Sequence, residues 1–373
     1  MGRWWKTTPS SLSWGIDGRH VTTNERSSEL ERLAEALAAV LGPDAVRRDQ
    51  PLARHTSLRI GGPADLLVVA ETTSVLRQAV ALACAHRVPF RVLGAGSNVL
   101  VSDAGVRGLV VLNRARATTF QPAGGSVQGA ASSVSAESGA SFSTVARQCV
   151  SQGLAGLEWA ATIPGTVGGA VVGNAGAWGG DVASMLVSAS VLERGETVVE
   201  WSVERFEYNY RSSILKRQAM PGLLPAVVLE AKFSLQQGDR GALETQVADM
   251  TARRKASQPP GATCGSVFKN PSGDYAGRLI ETVGLKGHCR GSAEISPVHA
   301  NFVVNRGEAT AADVHALIAL ARKRVQAQSG IALELEIQLI GDWDPAAQEL
   351  RLPVSAETGG QDRPDSSALG LVR

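Results

Sequence analysis

Cysteine is scarce in this chain of 373 residues. The four present, Cys84, Cys149, Cys264 and Cys289, stand far apart and form no C-x-x-C pair. A disulfide framework and a zinc site are both disfavoured, and reduced thiols in a cytosolic protein are the simpler reading. Aromatic residues are few as well: 7 Trp, 3 Tyr and 7 Phe against 40 glycines, a balance that points to tight turns and close backbone approaches. No charge sign dominates. The formal net charge is +2 with no concentrated basic stripe, which makes no case for a nucleic-acid partner. No uninterrupted apolar run is long enough to span a bilayer, so no membrane insertion is expected. The apolar stretch 165–180 is broken by glycines and suits a loop. The N-terminus carries Arg3 and Lys6 but lacks the compact apolar segment of a signal peptide, so a cytoplasmic location is expected. None of the six histidines suggests a metal site, and no obligate protein partner is evident.

The length leaves room for two or three domains. Residues 1–26 have no hydrophobic period and read as a disordered N-terminal extension. Ser28-Glu29-Leu30-Glu31 then reads as a capping box, followed by Leu30, Leu33, Ala34, Leu37 and Leu41 on one helical face until Gly42-Pro43. A second helix is expected over 74–87, with strands at 90–93 and 108–112, so that 27–117 forms one small α/β unit. Residues 118–238 carry short β-like runs, a helix near 143–152, and a hairpin whose strands, 190–192 and 197–201, flank Arg194-Gly195. The third region, 239–345, opens with a helix over 243–255, has another over 310–328, and closes with a strand over 331–340. Residues 346–373 are rich in Ser, Gly, Pro and Asp and read as a disordered tail.

Two glycine-rich segments stand out. Leu93-Gly94-Ala95-Gly96-Ser97-Asn98 follows a buried strand, and its amides suit a phosphate. The third glycine of a dinucleotide fingerprint is missing, and Val99-Leu100-Val101 look β rather than helical, so a plain tight turn stays open. Ile163-Pro164-Gly165-Thr166-Val167-Gly168-Gly169-Ala170 runs on to Asn174-Ala175-Gly176-Ala177-Trp178-Gly179, a density of glycine that lets main chain lie against a large planar or phosphorylated ligand. Close core packing is the competing reading.

These segments are joined, in order, by Tyr210-Arg211-Ser212-Ser213, Cys264-Gly265-Ser266-Val267-Phe268-Lys269-Asn270-Pro271, His299-Ala300-Asn301-Phe302 and Leu333-Glu334-Leu335-Glu336. Together they resemble the UDP-N-acetylenolpyruvoylglucosamine reductase family over 48–342. The resemblance implies an α+β fold, with a two-part FAD-binding α/β domain of the vanillyl-alcohol-oxidase/PCMH type and a C-terminal α/β substrate-binding domain. It also implies FAD as cofactor and NADPH as co-substrate. The reaction implied is reduction of the enolpyruvyl group of a UDP-sugar to the muramic-acid precursor of cell wall. Gly94, Ala95, Gly96, Ser97 and Asn98 would hold the pyrophosphate. Ile163, Pro164, Gly165, Thr166, Gly168, Gly169, Asn174 and Gly176 would line the flavin. The short connection between Arg211 and Lys255 resembles the family's second type, which lacks a substrate-closing loop.

That chemistry needs a cation and donors where negative charge develops, and an acid at C2 of the enolpyruvyl group. By the resemblance, Arg211 binds the enolpyruvyl carboxylate through its planar fork, and Ser266 donates the proton to C2. Lys255 and Asn270 bind the diphosphate end, while Tyr210 and His299, with Asn301, shape the substrate pocket. Read alone, Arg211 is a surface or salt-bridging arginine, Ser266 a turn residue, and His299 a satisfied structural histidine. Ile331, Leu333, Leu335, Ile337 and Leu339 alternate, so Glu334 and Glu336 share the opposite face. The resemblance puts Glu336 beside the reacting carbon, for polarisation or proton supply, with a raised pKa.

Two other readings compete: another FAD-linked oxidoreductase of the same superfamily, and a non-catalytic flavin-binding protein. Neither has a reason to carry Arg211, Ser266 and Glu336 together. Because the two tails lack apolar periodicity, a chain of residues 27–345 is expected to keep flavin and activity. Loss of FAD from that shortened protein would make the tails part of the structure.

Overall fold

The computed structural model describes residues 13–14, 20–21, 23–121, 132–218 and 226–344. The first unit has a four-stranded sheet in the order Val46–Pro51, Pro63–Ala70, Val106–Asn113, Phe90–Leu93. Its first pair is antiparallel and the others are parallel. Alternation along these strands divides the core between two faces. Leu66, Val68, Leu109 and Val111 pack with the helices Thr23–Leu41 and Thr73–Ala85 through Leu33, Leu37, Leu76 and Val80. Leu67, Val110 and Leu112 face the other way, onto Val99 and Val101. The first helix begins at Thr23, not at the expected capping box. Residues 23–28 contain no Gly or Pro to stop it, and Glu25 suits the positive end of the helix dipole. Ser28 therefore lies within the helix, its carbonyl accepting from Arg32 Nε at 3.2 Å. A cut before residue 27 removes the first turn.

The second unit is an antiparallel sheet in the order Thr197–Ser202, Leu186–Glu193, Val227–Gln237, Ser132–Glu137, Thr118–Gln121. The expected hairpin is present: Glu193 pairs with Thr197, and Arg194 (φ 54°) and Gly195 (φ 76°) turn between them in the left-handed region. The helix Phe142–Ser151 is capped by the Ser141 hydroxyl. Part of the glycine-rich stretch read as loop is a short helix, Val167–Gly173. The missed signal is Val167, Ala170 and Val171, buried at helical spacing on one face, with Thr166 capping the start. The helix Arg240–Ser257, assigned to the third region, sends Leu243 and Val247 into the core of this second unit.

The C-terminal unit is a sheet in the order Ala262–Ser266, Phe302–Asn305, Ala293–Ile295, Cys289–Arg290, backed by Ala276–Thr282 and Ala311–Ser329. Thr310 and Asp313 form a capping box at the start of the last helix. The expected strand over 331–340 is not continuous. Leu335 makes an isolated bridge with Phe268, and Gln338–Ile340 pairs in parallel with Val99–Val101 of the first unit. No single neighbour runs alongside the whole segment, so it passes from one unit to another and no continuous ladder forms. Asp103 adds a second tie, accepting from the amides of Ala311 and Ala312 at 2.8 and 2.9 Å. Among the described residues, no helix is long and apolar enough to cross a membrane.

Candidate active site

Glycine brings the two loops into contact. A Cβ at Gly94 would strike the Thr166 hydroxyl, and one at Gly165 (φ 129°) would lie 3.0 Å from Ser97 Oγ. The Ser97 hydroxyl donates to Pro164 O at 3.2 Å. Gly96 (φ 61°) leaves no room for a side chain beside His55 O, and Ser57 N donates to Gly96 O at 3.0 Å. Among the described residues, the amides of Ala95, Gly96, Ser97 and Asn98 have no protein acceptor. Consecutive free N–H groups on a rigid loop suit phosphate oxygens. This arrangement fits the pyrophosphate of a dinucleotide. Arg114 supports it from behind, donating to Gly94 O at 2.9 Å.

The flavin-lining set divides. Ile163 ends a 3-10 turn, its amide on Ala160 O at 2.9 Å, and Thr166 caps the short helix. A Cβ at Gly169 would meet nothing nearer than Thr166 Oγ1 at 3.5 Å, so this face stays open. Gly168 instead packs on protein: its Cβ would come 2.8 Å from Ser138 Cβ. Asn174, in the left-handed region, ends the short helix. Its side chain spans from Ala183 N (3.0 Å) to Asn209 O (3.1 Å), which commits both ends to the protein. Gly176 supplies a carbonyl to Arg211 Nη2.

Glu336 is the meeting point of the residues that the sequence assigned to the reaction. Its amide donates to Val267 O at 2.9 Å, beside Ser266. Its carbonyl accepts from Asn98 Nδ2 at 3.2 Å and from Lys216 Nζ at 3.0 Å. Its carboxylate meets Arg211 Nε at 3.2 Å. Arg211 sits at φ 55°, a conformation costing a non-glycine residue of order 1–3 kcal/mol. Reciprocal bonds between Asn209 and Ser212, both 3.0 Å, hold that turn. The guanidinium lies 5.1 Å from the Tyr210 ring centroid. Of five guanidinium N–H donors, one faces Glu336, one Gly176 O and one, at 3.5 Å, Asn174 O. Two remain for a carboxylate.

Ser266 ends a strand whose register shifts between Thr263 and Ser266, where Gly265 takes φ 78°. Asn301 fixes that segment. Its side chain pairs with both N and O of Phe268, at 2.9 and 2.8 Å, and its carbonyl accepts from Val267 N at 2.8 Å. His299 Nδ1 accepts from Asn301 N at 3.2 Å, and its ring lies against Phe302. Burial, reinforced by Lys286, lowers the His299 pKa. Asn270 Oδ1 takes Ala276 N at 3.1 Å, and its backbone also interacts with Tyr210. Lys255 is exposed on the last turn of its helix.

Burial raises the Glu336 carboxyl, as expected from the sequence, although Arg211, Lys216 and Lys269 oppose the rise. Burial lowers Lys216 to about 8. Lys216 escaped the sequence reading, although Ser213-Ile214-Leu215-Lys216 carries a helix-start signal directly after Arg211. The Ser213 hydroxyl accepts Lys216 N at 3.2 Å.

Two family descriptions match parts of the chain. The description "UDP-N-acetylenolpyruvoylglucosamine reductase, C-terminal domain" matches residues 256–340, and "FAD binding domain" matches 64–202. The UDP-N-acetylenolpyruvoylglucosamine reductase of Chloroflexus aggregans is 44% identical over 298 residues, 80% of this chain and 98% of that protein. The chain belongs to the UDP-N-acetylenolpyruvoylglucosamine reductase family. UDP-N-acetylenolpyruvoylglucosamine reductase 2 of Symbiobacterium thermophilum is 43% identical, covering 84% of this chain and 99% of its own. The solved structure of the Thermus caldophilus family member aligns with a TM-score of 0.65 and 34% identity, over 79% of this chain and 99% of that one. Membership agrees with the α+β architecture and with FAD as the group for the glycine cradle.

Two measurements test this site. Gly168→Val is expected to lower FAD retention, because its branched carbons meet Ser138 rather than solvent. Flavin absorbance per mole of purified protein reports it, and a fully yellow variant would contradict this packing. The second concerns Lys216, whose folded pKa of about 8 lies below the ordinary lysine value of 10.5. The unfolded chain then binds the extra proton between these values, so stability rises with pH across that window. Below about 8 the penalty of the buried charge is fully present. Relative to Lys216→Met, the wild type should therefore gain stability from pH about 8 upward. A difference in denaturation free energy that stays constant across the window would put Lys216 at its ordinary pKa.

Proposed function

We infer that this protein carries out NADPH-dependent, FAD-mediated reduction of the enolpyruvyl group of UDP-N-acetylenolpyruvoylglucosamine. The product is UDP-N-acetylmuramate, a peptidoglycan precursor, made in the cytoplasm. The observation that carries the reading is the convergence on Glu336 of Arg211, the Ser266–Val267 segment and Asn98 of the glycine loop. FAD, when bound, supplies the two-electron reductant for the double bond, and NADPH restores it.

The chain's own residues then have three tasks. As C3 is reduced, negative charge develops at C2 and its carboxylate. The two unused N–H donors of Arg211 bind that carboxylate, and the guanidinium is already fixed, so little reorganisation is needed. Ser266 Oγ gives its proton to C2, forming the C–H bond, and takes one back from its surroundings. Glu336 is the group assigned to that return; burial raises its carboxyl pKa against the pull of Arg211, Lys216 and Lys269. Asn301 keeps the Ser266 segment in register. Tyr210 and Asn270 belong to the sugar-nucleotide side, where Asn270 keeps its amide nitrogen for a phosphate or hydroxyl. Lys255 would engage the diphosphate end from an exposed helix turn, through its flexible stem.

The test separates the two half-reactions. Under anaerobic stopped flow, NADPH should bleach the flavin of both wild type and Ser266→Ala at similar rates. Reoxidation by the enolpyruvyl sugar should slow in Ser266→Ala by at least the ~10²–10⁴-fold typical of losing a general acid. Wild-type flavin that stays reduced with this sugar would overturn the activity. A Ser266→Ala variant reoxidising at the wild-type rate would pass the donor role to Glu336.

A further inference from the structure

Lys216 has no role in the steps above, yet it holds together the residues that do. Its ammonium donates to the main-chain carbonyl of Arg211 at 3.1 Å and to that of Glu336 at 3.0 Å. Arg211 belongs to the second unit, and Glu336 to the segment that runs from the C-terminal sheet to the first unit. One side chain thus spans the two segments that present the guanidinium and the carboxylate. Asn98 reaches the same Glu336 carbonyl from the glycine loop, so donors from two units converge on one acceptor. Lys216 is itself anchored, on the short helix Ile214–Arg217 that Ser213 caps.

The placement is electrostatically expensive. Lys269 and Arg211 repel the ammonium, Glu336 and Glu334 attract it, and its direct acceptors are uncharged carbonyls. An apolar side chain would avoid the desolvation, but it would leave the Arg211 carbonyl without this donor, the Glu336 carbonyl with Asn98 alone, and the two main chains without their shared tie. A lysine reaches both acceptors with one flexible stem.

We propose that Lys216 is a positioning residue for the reduction, its ammonium fixing the main chains of Arg211 and Glu336 against each other so that guanidinium and carboxyl meet the substrate in one register. The proposal rests on the functional reading above. Lys216 acts through the two backbones and is not assigned to the reacting atoms.

The experiment uses the FAD-loaded protein as wild type, Lys216→Gln and Lys216→Arg, with NADPH and the enolpyruvyl sugar added separately under anaerobic conditions. Gln reaches at most one of the two carbonyls, whereas Arg restores a cation with several donors. Lys216→Gln should hold FAD and be bleached by NADPH within about twofold of wild type. Its reoxidation by the sugar should fall by about 10²-fold, the loss that a misplacement of ~1 Å brings, and mainly in kcat rather than KM. Lys216→Arg should recover most of that loss. Reoxidation of Lys216→Gln at the wild-type rate overturns the positioning role. So does an equal fall in both half-reactions, or loss of flavin, that Lys216→Arg leaves unrepaired, because Lys216 would then be merely structural. Wild-type protein that the sugar does not reoxidise overturns the functional reading itself, and is distinguished from the other outcomes by that control.

Discussion

The structure depends on how the main chain of Glu336 is held. Its amide is bonded to Val267 in the C-terminal unit, and its carbonyl to Asn98 in the first unit and Lys216 in the second. Three units meet at one peptide segment. Two residues on, Gln338–Ile340 joins Val99–Val101 in a parallel pair, which continues the glycine loop directly. The loop suited to phosphate and the carboxylate suited to the reacting carbon are therefore spaced by backbone hydrogen bonds, not by side-chain flexibility. Such anchoring is what a site needs when charge must develop at a fixed distance from its stabilisers.

The charges around that segment are unbalanced in an informative way. Arg211, Lys216 and Lys269 bring three positive charges near Glu336 and Glu334. Burial raises the pKa of Glu336 and lowers that of Lys216, so both groups resist the charged form. An anionic substrate group would relieve the excess, and the two free Arg211 donors are where it would bind. The same desolvation that makes these charges costly makes their interaction with a developing negative charge strong.

Glycine serves two purposes here: it lets neighbouring chains approach, and it leaves backbone uncovered. Gly94, Gly96 and Gly165 let neighbouring chains come close enough to form the cradle, and Gly168 does the same against Ser138. The amides of the loop and the face at Gly169 stay uncovered by protein among the described residues. Neither purpose can be told from the other in the sequence, because both appear as a glycine next to apolar residues.

Local chemistry alone determined a good deal. Thr310 and Asp313 gave the last helix a start, Arg194-Gly195 a hairpin turn, and Val99-Leu100-Val101 a strand after the first glycine loop. Each depends on hydrogen bonds within a few residues. The ordered motifs identified the family for the same reason: they are short, contiguous and chemically distinctive. The failures were of another kind. The first helix ran back past its expected capping box, since capping preferences of about 1 kcal/mol do not stop a segment free of breakers. The last strand was interrupted, since a ladder needs a partner and this segment changes partners midway. Lys216 could not be recognised, because its two acceptors are backbone carbonyls, one of them 120 residues away. The sequence by itself determined the family, through its ordered motifs, and most of the elements that bear them. Tertiary structure alone decided that they meet at Glu336, because side chains far apart in the chain converge on its backbone and carboxylate, and a main-chain acceptor leaves no pattern in residue identity.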